Sequence, residues 1–306
     1  MTTTDMRKHP TSAIARLQLK CQPFDFRQLV FAHGWVQLAP FNWDDATQAL
    51  HRCLTLNGRS CHVTMQHQNA TDKVLVRATL TPNPGRTHHA EARRQVTRML
   101  RLDEDFSPFH ACCRRDRHLR IVAERGWGGM LRCPTAFEDV IKTICTANCH
   151  WRNTCTMCER LCALGGGAFP SPKQLIDIGP RRLSHAAPVG YRAETIVNVA
   201  RLTEEGQMPL DTWMAEGNID RVRSTLRQIK GIGDYCVNHM MVLLGIYDRL
   251  PVDSEVIKHL RDTYHGGRRV PASVAVRRFE PFDAHAFLAY KFGRIAAGAR
   301  AIRSPR

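Results

Sequence analysis

"LRQIKGIGDYCVNHMMVLLGIYDRLPVDSEV" (Leu226–Val256) decides the fold. Gly231 and Gly233 stand one residue apart between two apolar patterns, and Asp253 follows 253 − 233 = 20 positions beyond the second glycine. A dinucleotide fingerprint, G-x-G-x-x-G, has this look, but it needs a strand before its first glycine and a third glycine for close helix–strand packing. Cys236 occupies the third glycine's place, and Ile219, Val222, Leu226 and Ile229 lead into the stretch at helical spacing. The segment therefore reads as two helices joined by a tight hairpin, Ile229–Gly233. Its glycines allow positive φ and close backbone approach. The second helix presents Cys236, Val237, Met240, Met241 and Leu244 as its apolar stripe. The open N–H groups at its start, helped by the dipole, suit a phosphate oxygen without reading base sequence.

The charge balance points the same way. Across 306 residues, 44 Lys+Arg against 28 Asp+Glu leave a net charge of +16, which favours a polyanionic partner. The length allows two or three domains. The first thirty residues hold no apolar signal core, and the longest apolar run, near Met240–Ile246, is too short to span a bilayer. The expectation is a soluble, cytoplasmic monomer, nucleoid-associated if bacterial, with no membrane partner. Its 12 cysteines read as reduced thiols. Cys145, Cys149, Cys155, Cys158 and Cys162 recur at steps that match a helix face, and no second C-x-x-C completes a metal set.

Outward from the hairpin, "CHVTMQH" (Cys61–His67) and "KVLVRATL" (Lys73–Leu80) are strand-like, separated by a turn at Asn69–Asp72 and preceded by the hairpin signal Asn57-Gly58. Nothing in this part looks catalytic. From about Phe106 the pattern is helical. "PTAFEDVIKTIC" carries a capping box, Thr135 with Glu138, ahead of Phe137, Val140, Ile141, Ile144 and Cys145 at helical spacing. Further helices are expected at about Asn153–Leu164, Arg192–Leu202 and Ile219–Ile229. A linker, "HGGRRVPAS" (His265–Ser273), precedes a last helix around Phe282–Ile295.

The hairpin, then Gly245 and Pro251, then Asp253 in "LPVDSEV", resemble the helix-hairpin-helix (HhH-GPD) DNA glycosylase superfamily. "ICTANCHWRNTCTMCERLCALGG", "FPSPKQL" and "VGYRAETI" are similar to the helical core of its 8-oxoguanine and 3-methyladenine members. The resemblance runs from about Phe24 to Phe292 and is strongest between Thr135 and Leu260. It implies a mainly α fold with an N-terminal α+β part. The expected units are an antiparallel-sheet domain over 1–105, a helical subdomain of 106–134 plus 256–306, and a helical subdomain of 135–255 carrying the hairpin.

The family's site maps onto this sequence residue by residue. Asp253 would be the catalytic carboxylate beside the sugar, with capping of the following helix as its other reading. Asn148 would fill the hole left by a flipped base, Tyr191 would wedge the opposite strand, and Arg192 would support it. Lys230, Gly231 and Gly233 would meet the DNA backbone. Tyr235, Trp151 and His239 would line the base pocket. The carbonyls of Arg227, Ile229 and Ile232 would hold K+ or Na+, with no cofactor needed for catalysis. Two departures matter. Bifunctional members have a lysine where Tyr235 stands, and a phenol cannot form a Schiff base. Iron–sulfur relatives carry four cysteines after the aspartate, whereas the last cysteine here is Cys236, so no cluster is expected. The resemblance thus implies a monofunctional glycosylase of base excision repair acting on double-stranded DNA, with alkylated purines such as 3-methyladenine ahead of 8-oxoguanine. A non-catalytic lesion-sensing protein of the same fold is the alternative.

Overall fold

The computed structural model describes residues 14–70, 73–250 and 254–303. The N-terminal part is a five-stranded antiparallel sheet of β1 (Ala15–Lys20), β2 (Asn42–Asp44), β3 (Ala49–Leu56), β4 (Arg59–Ala70) and β5 (Lys73–Thr81), in the order β1-β5-β4-β3-β2. Period-two alternation drives it: in β1, Ala15, Leu17 and Leu19 face inward while the residues between them face out. Asn57 and Gly58 both have positive φ (47° and 82°), the conformation of a two-residue hairpin turn, and they set the β3–β4 register. The second turn is shorter than Asn69–Asp72. Strand pairing continues through Asn69↔Val74 and Ala70↔Lys73, and Thr71 and Asp72 lie outside the described residues.

Two helices serve this sheet. α1 (Phe26–Phe31) is capped by Asp25 and leads into a 3-10 turn at Gly34–Gln37. α2 (His89–Met99) buries Ala92, Val96 and Met99 beneath the strands. The rest is helical: α3 (Ser107–Arg115), α4 (Arg120–Glu124), α5 (Ala136–Thr146), α6 (Trp151–Leu164), α7 (Pro172–Ala186), α8 (Arg192–Glu204), α9 (Leu210–Ala215), α10 (Ile219–Gln228), α11 (Asp234–Leu243), α12 (Ser254–Tyr264), α13 (Ala272–Phe279) and α14 (Ala286–Arg303). The end of the expected linker opens α13, and the last helix starts at Ala286, because Asp283 (φ 42°) interrupts the helical path before it. One apolar core joins the sheet to α5, α6, α8, α10 and α11. A second gathers α3, α4, α12 and α14. Cys145, Cys158 and Cys162 are buried as small hydrophobes, and no group of three or more His, Cys, Asp or Glu among the described residues is arranged to hold a metal. No helix among these residues is long and apolar enough to cross a membrane.

α5 is buried from Ala136 to Cys145, so its three charged residues must be paired inside the protein. Thr135 caps the helix by accepting the Glu138 N–H (3.2 Å), but the Glu138 carboxylate does not return to form the expected box. It turns inward to Arg52 of β3 (2.9 Å) and Lys142 (2.8 Å). Burial works to raise the Glu138 carboxyl, and the two cations overcome it and hold it at about 2. At the next position, Asp139 accepts from Arg98 of α2 (2.8 Å), the Trp35 indole (3.0 Å) and the Cys133 N–H (2.9 Å). Arg98 also reaches Asp211 of α9 (3.0 Å).

Asp139→Ala would strand the Arg98 guanidinium without its buried partner, so we expect a loss of about 3–5 kcal/mol in urea unfolding. A loss below about 1 kcal/mol would show the knot contributes little. The depressed Glu138 carboxyl adds stability that is complete above its ordinary value of 4.5 and is lost as pH falls toward 2. Glu138→Gln should therefore weaken the protein at pH 7 and flatten its stability between those limits.

Candidate nucleic-acid interface and base pocket

α10 buries Val222 and Leu226 and ends where Ile229 turns extended. The chain then reverses over Ile229–Gly233, with the Ile232 N–H donating to the Ile229 carbonyl (3.0 Å). Gly231 sits at φ +93°, and a Cβ there would run into the Thr195 hydroxyl. That hydroxyl donates to the Lys230 carbonyl (3.0 Å), clasping the turn to α8. Gly233 is the N-cap of α11, so no side chain covers the first N–H groups of that helix. Asp234 in the first turn is held aside by Arg227 (3.1 Å). The Lys230 side chain is exposed at the tip.

The hairpin forms one wall of a cleft of about 740 Å³. Asn148, Tyr191, Arg192, Gly231, Ile232, Gly233 and Tyr235 all line it, so the tertiary fold brings most of the sequence-predicted residues together. Asn148 is exposed at φ +50° just past the end of α5, a left-handed position that asparagine tolerates. Tyr191 is 70% exposed. The Arg192 guanidinium lies 4.6 Å from its ring and is itself buried, donating to the carbonyls of Ile144 (3.2 Å), Val189 (3.4 Å) and Ala147. Arg192 is thus a strut under Tyr191 and the Asn148 loop, and its donors do not face solvent.

Tyr235 is 59% exposed, and its hydroxyl approaches Thr146 at 3.5 Å. Inward from it, His239 stacks at 6.1 Å (14° between planes), Trp35 lies 4.9 Å from His239, and His33 lies 5.0 Å from Trp35. Burial pulls His239 down to about 4, so it is neutral at pH 7. Trp151 does not line the cleft. Its ring covers Gly34, where a Cβ would collide with it, and its Nε1–H donates to Gln37 (2.6 Å). It ties α6 to the 3-10 turn of the sheet domain. Asp253 lies outside the described residues, which resume at Ser254. Sequence reasoning assigned no chemistry before Phe106 and so missed His33 and Trp35, because no local pattern announces a contact across 104 positions such as Trp35 with Asp139.

Residues 141–264 match the family model of the HhH-GPD superfamily base excision DNA repair proteins. No curated protein matches the sequence. Among solved structures, a 3-methyladenine DNA glycosylase from Archaeoglobus fulgidus aligns with TM-score 0.70 and 18% identity over 90% of this chain and 99% of its own. The 8-oxoguanine glycosylase/lyase of Clostridium acetobutylicum aligns in its apo form with TM-score 0.63 and 16% identity, over 92% and 98%. A Bacillus halodurans DNA-3-methyladenine glycosidase aligns with TM-score 0.52 and 23% identity, over 65% and 92%. The fold is that of these enzymes.

Gly206 (φ +67°) and Gly231 both need positive φ, but a Cβ at Gly206 meets open space. Gly231→Ala should therefore be the less stable of the two alanine variants by about 1 kcal/mol or more, and Thr195→Ala should recover part of the difference. Equal melting curves for the two single variants would remove the Thr195 clash from the account.

Proposed function

From the HhH-GPD core and the cleft it builds, we propose that this protein is a monofunctional DNA glycosylase that extrudes a damaged purine and hydrolyses its N-glycosidic bond. The observation that carries the reading is one juxtaposition. An uncapped helix N-terminus, an exposed aromatic face at Tyr235 and the projecting pair Asn148 and Tyr191 share a single cleft. The uncapped N–H groups suit a backbone phosphate. Asn148 and Tyr191 are placed to fill and wedge a duplex opened by base flipping, which costs a few kcal/mol and is cheapest at a damaged pair. The Clostridium relative is also known in complex with double-stranded DNA carrying cytosine opposite 8-oxoguanine, and we extend that class of partner to this chain.

Asp253, by its place in the family motif, would stabilise the oxocarbenium character at C1′ and orient the attacking water. Tyr235 stands where an amine would be needed for strand cleavage, and Lys230 lies on the far side of the turn. This supports hydrolysis without lyase chemistry. An electron-rich ring at Tyr235 favours a cationic alkylated purine by about 0.5–2 kcal/mol. A neutral oxidised purine also stacks there, so the base's charge must be chosen by other groups. Arg227 lies in the last turn of α10, where carbonyls lack helical donors, and this supports a monovalent cation at the hairpin. K+ or Na+ held by the carbonyls of Arg227, Ile229 and Ile232 would add positive charge beside the phosphate site.

Duplexes bearing single defined lesions, incubated with the protein and then treated with alkali, test this reading. Strand breaks should appear only after alkali. Breaks without alkali would refute the part given to Tyr235, and tight lesion binding without base release would favour the non-catalytic alternative. Asp253→Asn should bind lesion DNA as the parent does yet release base about a hundredfold more slowly. An unchanged rate would take the aspartate out of the mechanism. Affinity should fall steeply as salt rises.

A further inference from the structure

A second pocket, of about 400 Å³, lies at the far ends of the two helices that carry the hairpin cleft. α5 lines the pocket with Ala136, Phe137 and Glu138 and the cleft with Ile144 and Thr146, while α8 lines the cleft with Arg192 and Thr195 and the pocket with Thr203. α5 is 11 residues long, so about 15 Å of helix separates the two sites. The apolar wall is Phe137, Phe169, Met208 and Leu210, and Pro134, Pro170, Pro172 and Pro209 stand around it. Proline fixes φ, and the capping box of Ser171 and Gln174 locks the turn between Pro170 and Pro172, so the walls are set in shape before any ligand arrives. Two polar side chains of this lining are buried and incompletely bonded. Arg52 (3% exposed) donates from Nε to the Cys53 carbonyl (3.2 Å) and from Nη2 to Glu138 (2.9 Å), and its guanidinium lies 4.5 Å from the centre of the Phe41 ring, yet Nη1 has no hydrogen-bond partner among the described residues. Gln95 (3% exposed) uses both amide hydrogens, on the Thr55 carbonyl (3.1 Å) and on Glu91 (2.6 Å), and its Oε1 likewise has no partner.

We propose that this pocket binds a neutral peptide segment of a partner protein, with one apolar side chain against Phe137, Phe169 and Met208, the segment's carbonyl accepting from Arg52 Nη1 and its N–H donating to Gln95 Oε1. The charge balance selects a neutral ligand. Arg52 and Lys142 meet Glu138, and Arg98 meets Asp139 and Asp211, so the cations and carboxylates in and behind the wall already cancel. An added charge would upset that balance, whereas the unmet groups are one donor and one acceptor. A backbone amide supplies the complement of both without charge. The carbonyls that anchor Arg52 and Gln95 belong to Cys53 and Thr55, two positions apart on β3 and roughly 7 Å along the strand, so both free groups are mounted on one short stretch of the sheet. The volume is at the small end for ligand pockets and takes a side chain or two of a flexible segment, not a folded surface. Lying at the other ends of α5 and α8, the site leaves the hairpin cleft open, so that the partner and DNA are held at the same time. This goes beyond the glycosylase reading and does not depend on it.

Methyl NMR of the full chain labelled at methionine reads the site through Met208. The blocked peptide acetyl-Ala-Leu-Ala-amide should shift the Met208 methyl and saturate within about 10 mM. Its ester analogue, with oxygen in place of the leucine N–H, should bind about tenfold more weakly to wild type, and Gln95→Leu should lose about as much for the parent peptide. The two losses should not add, because they remove one hydrogen bond. N-acetyl-leucine, which carries a carboxylate, should bind more weakly than its neutral N-methylamide. Saturating duplex DNA should leave the peptide's affinity within about twofold, as for separate sites. A Met208 methyl that does not move, an ester that binds as well as the amide, tighter binding of the carboxylate, or displacement of the peptide by DNA each overturns the proposal. The ester arm needs no variant, so a Gln95→Leu chain that fails to fold leaves the test intact. None of these outcomes depends on base release, so the glycosylase reading stands or falls separately.

Discussion

Asp139 is the constraint on which the arrangement depends. It is a fully buried carboxylate on a helix surrounded by protein, and it draws together α2 through Arg98, the Cys133 loop, and the sheet domain through Trp35. A charge in that position is tolerable only when every oxygen is engaged, so its partners are specified closely in place and direction. The neighbouring set of Glu138, Arg52 and Lys142 repeats the device one residue earlier and ties β3 to the same helix. These two knots fix how the sheet sits on the helical core.

That docking reaches the cleft through stacked rings. Trp35, held by Asp139, supports His239, and His239 backs Tyr235. The opposite wall is governed by Arg192, whose buried guanidinium is satisfied by carbonyls from the end of α5 and the loop before α8. Asn148 and Tyr191 therefore project from one braced unit. Trp151 and Gln37 add a third tie between the loop side of the cleft and the sheet domain.

The small departures from expectation share a cause. Glu138 has the right spacing for a capping box, yet two buried cations outbid the Thr135 N–H for its carboxylate. The resemblance implies a base-pocket position for Trp151, whereas the absence of a side chain at Gly34 gives its ring a seat on the sheet domain. In each case a partner distant in sequence offered a stronger interaction than any local one.

The sequence by itself determined the elements and the hairpin. Period-two alternation in β1, Asn57-Gly58 between β3 and β4, the helical spacing around Val140 and Ile144, and glycines at the two positions where α10 hands over to α11 are local properties, legible because backbone sterics and side-chain period act within a few residues. The family motif also picked out Asn148, Tyr191 and Tyr235, which the fold gathers into one cleft. Only the tertiary structure decided what stands behind that cleft. His33 and Trp35 come from the sheet domain, and Trp35 meets His239 because Asp139 of α5 holds its indole N–H.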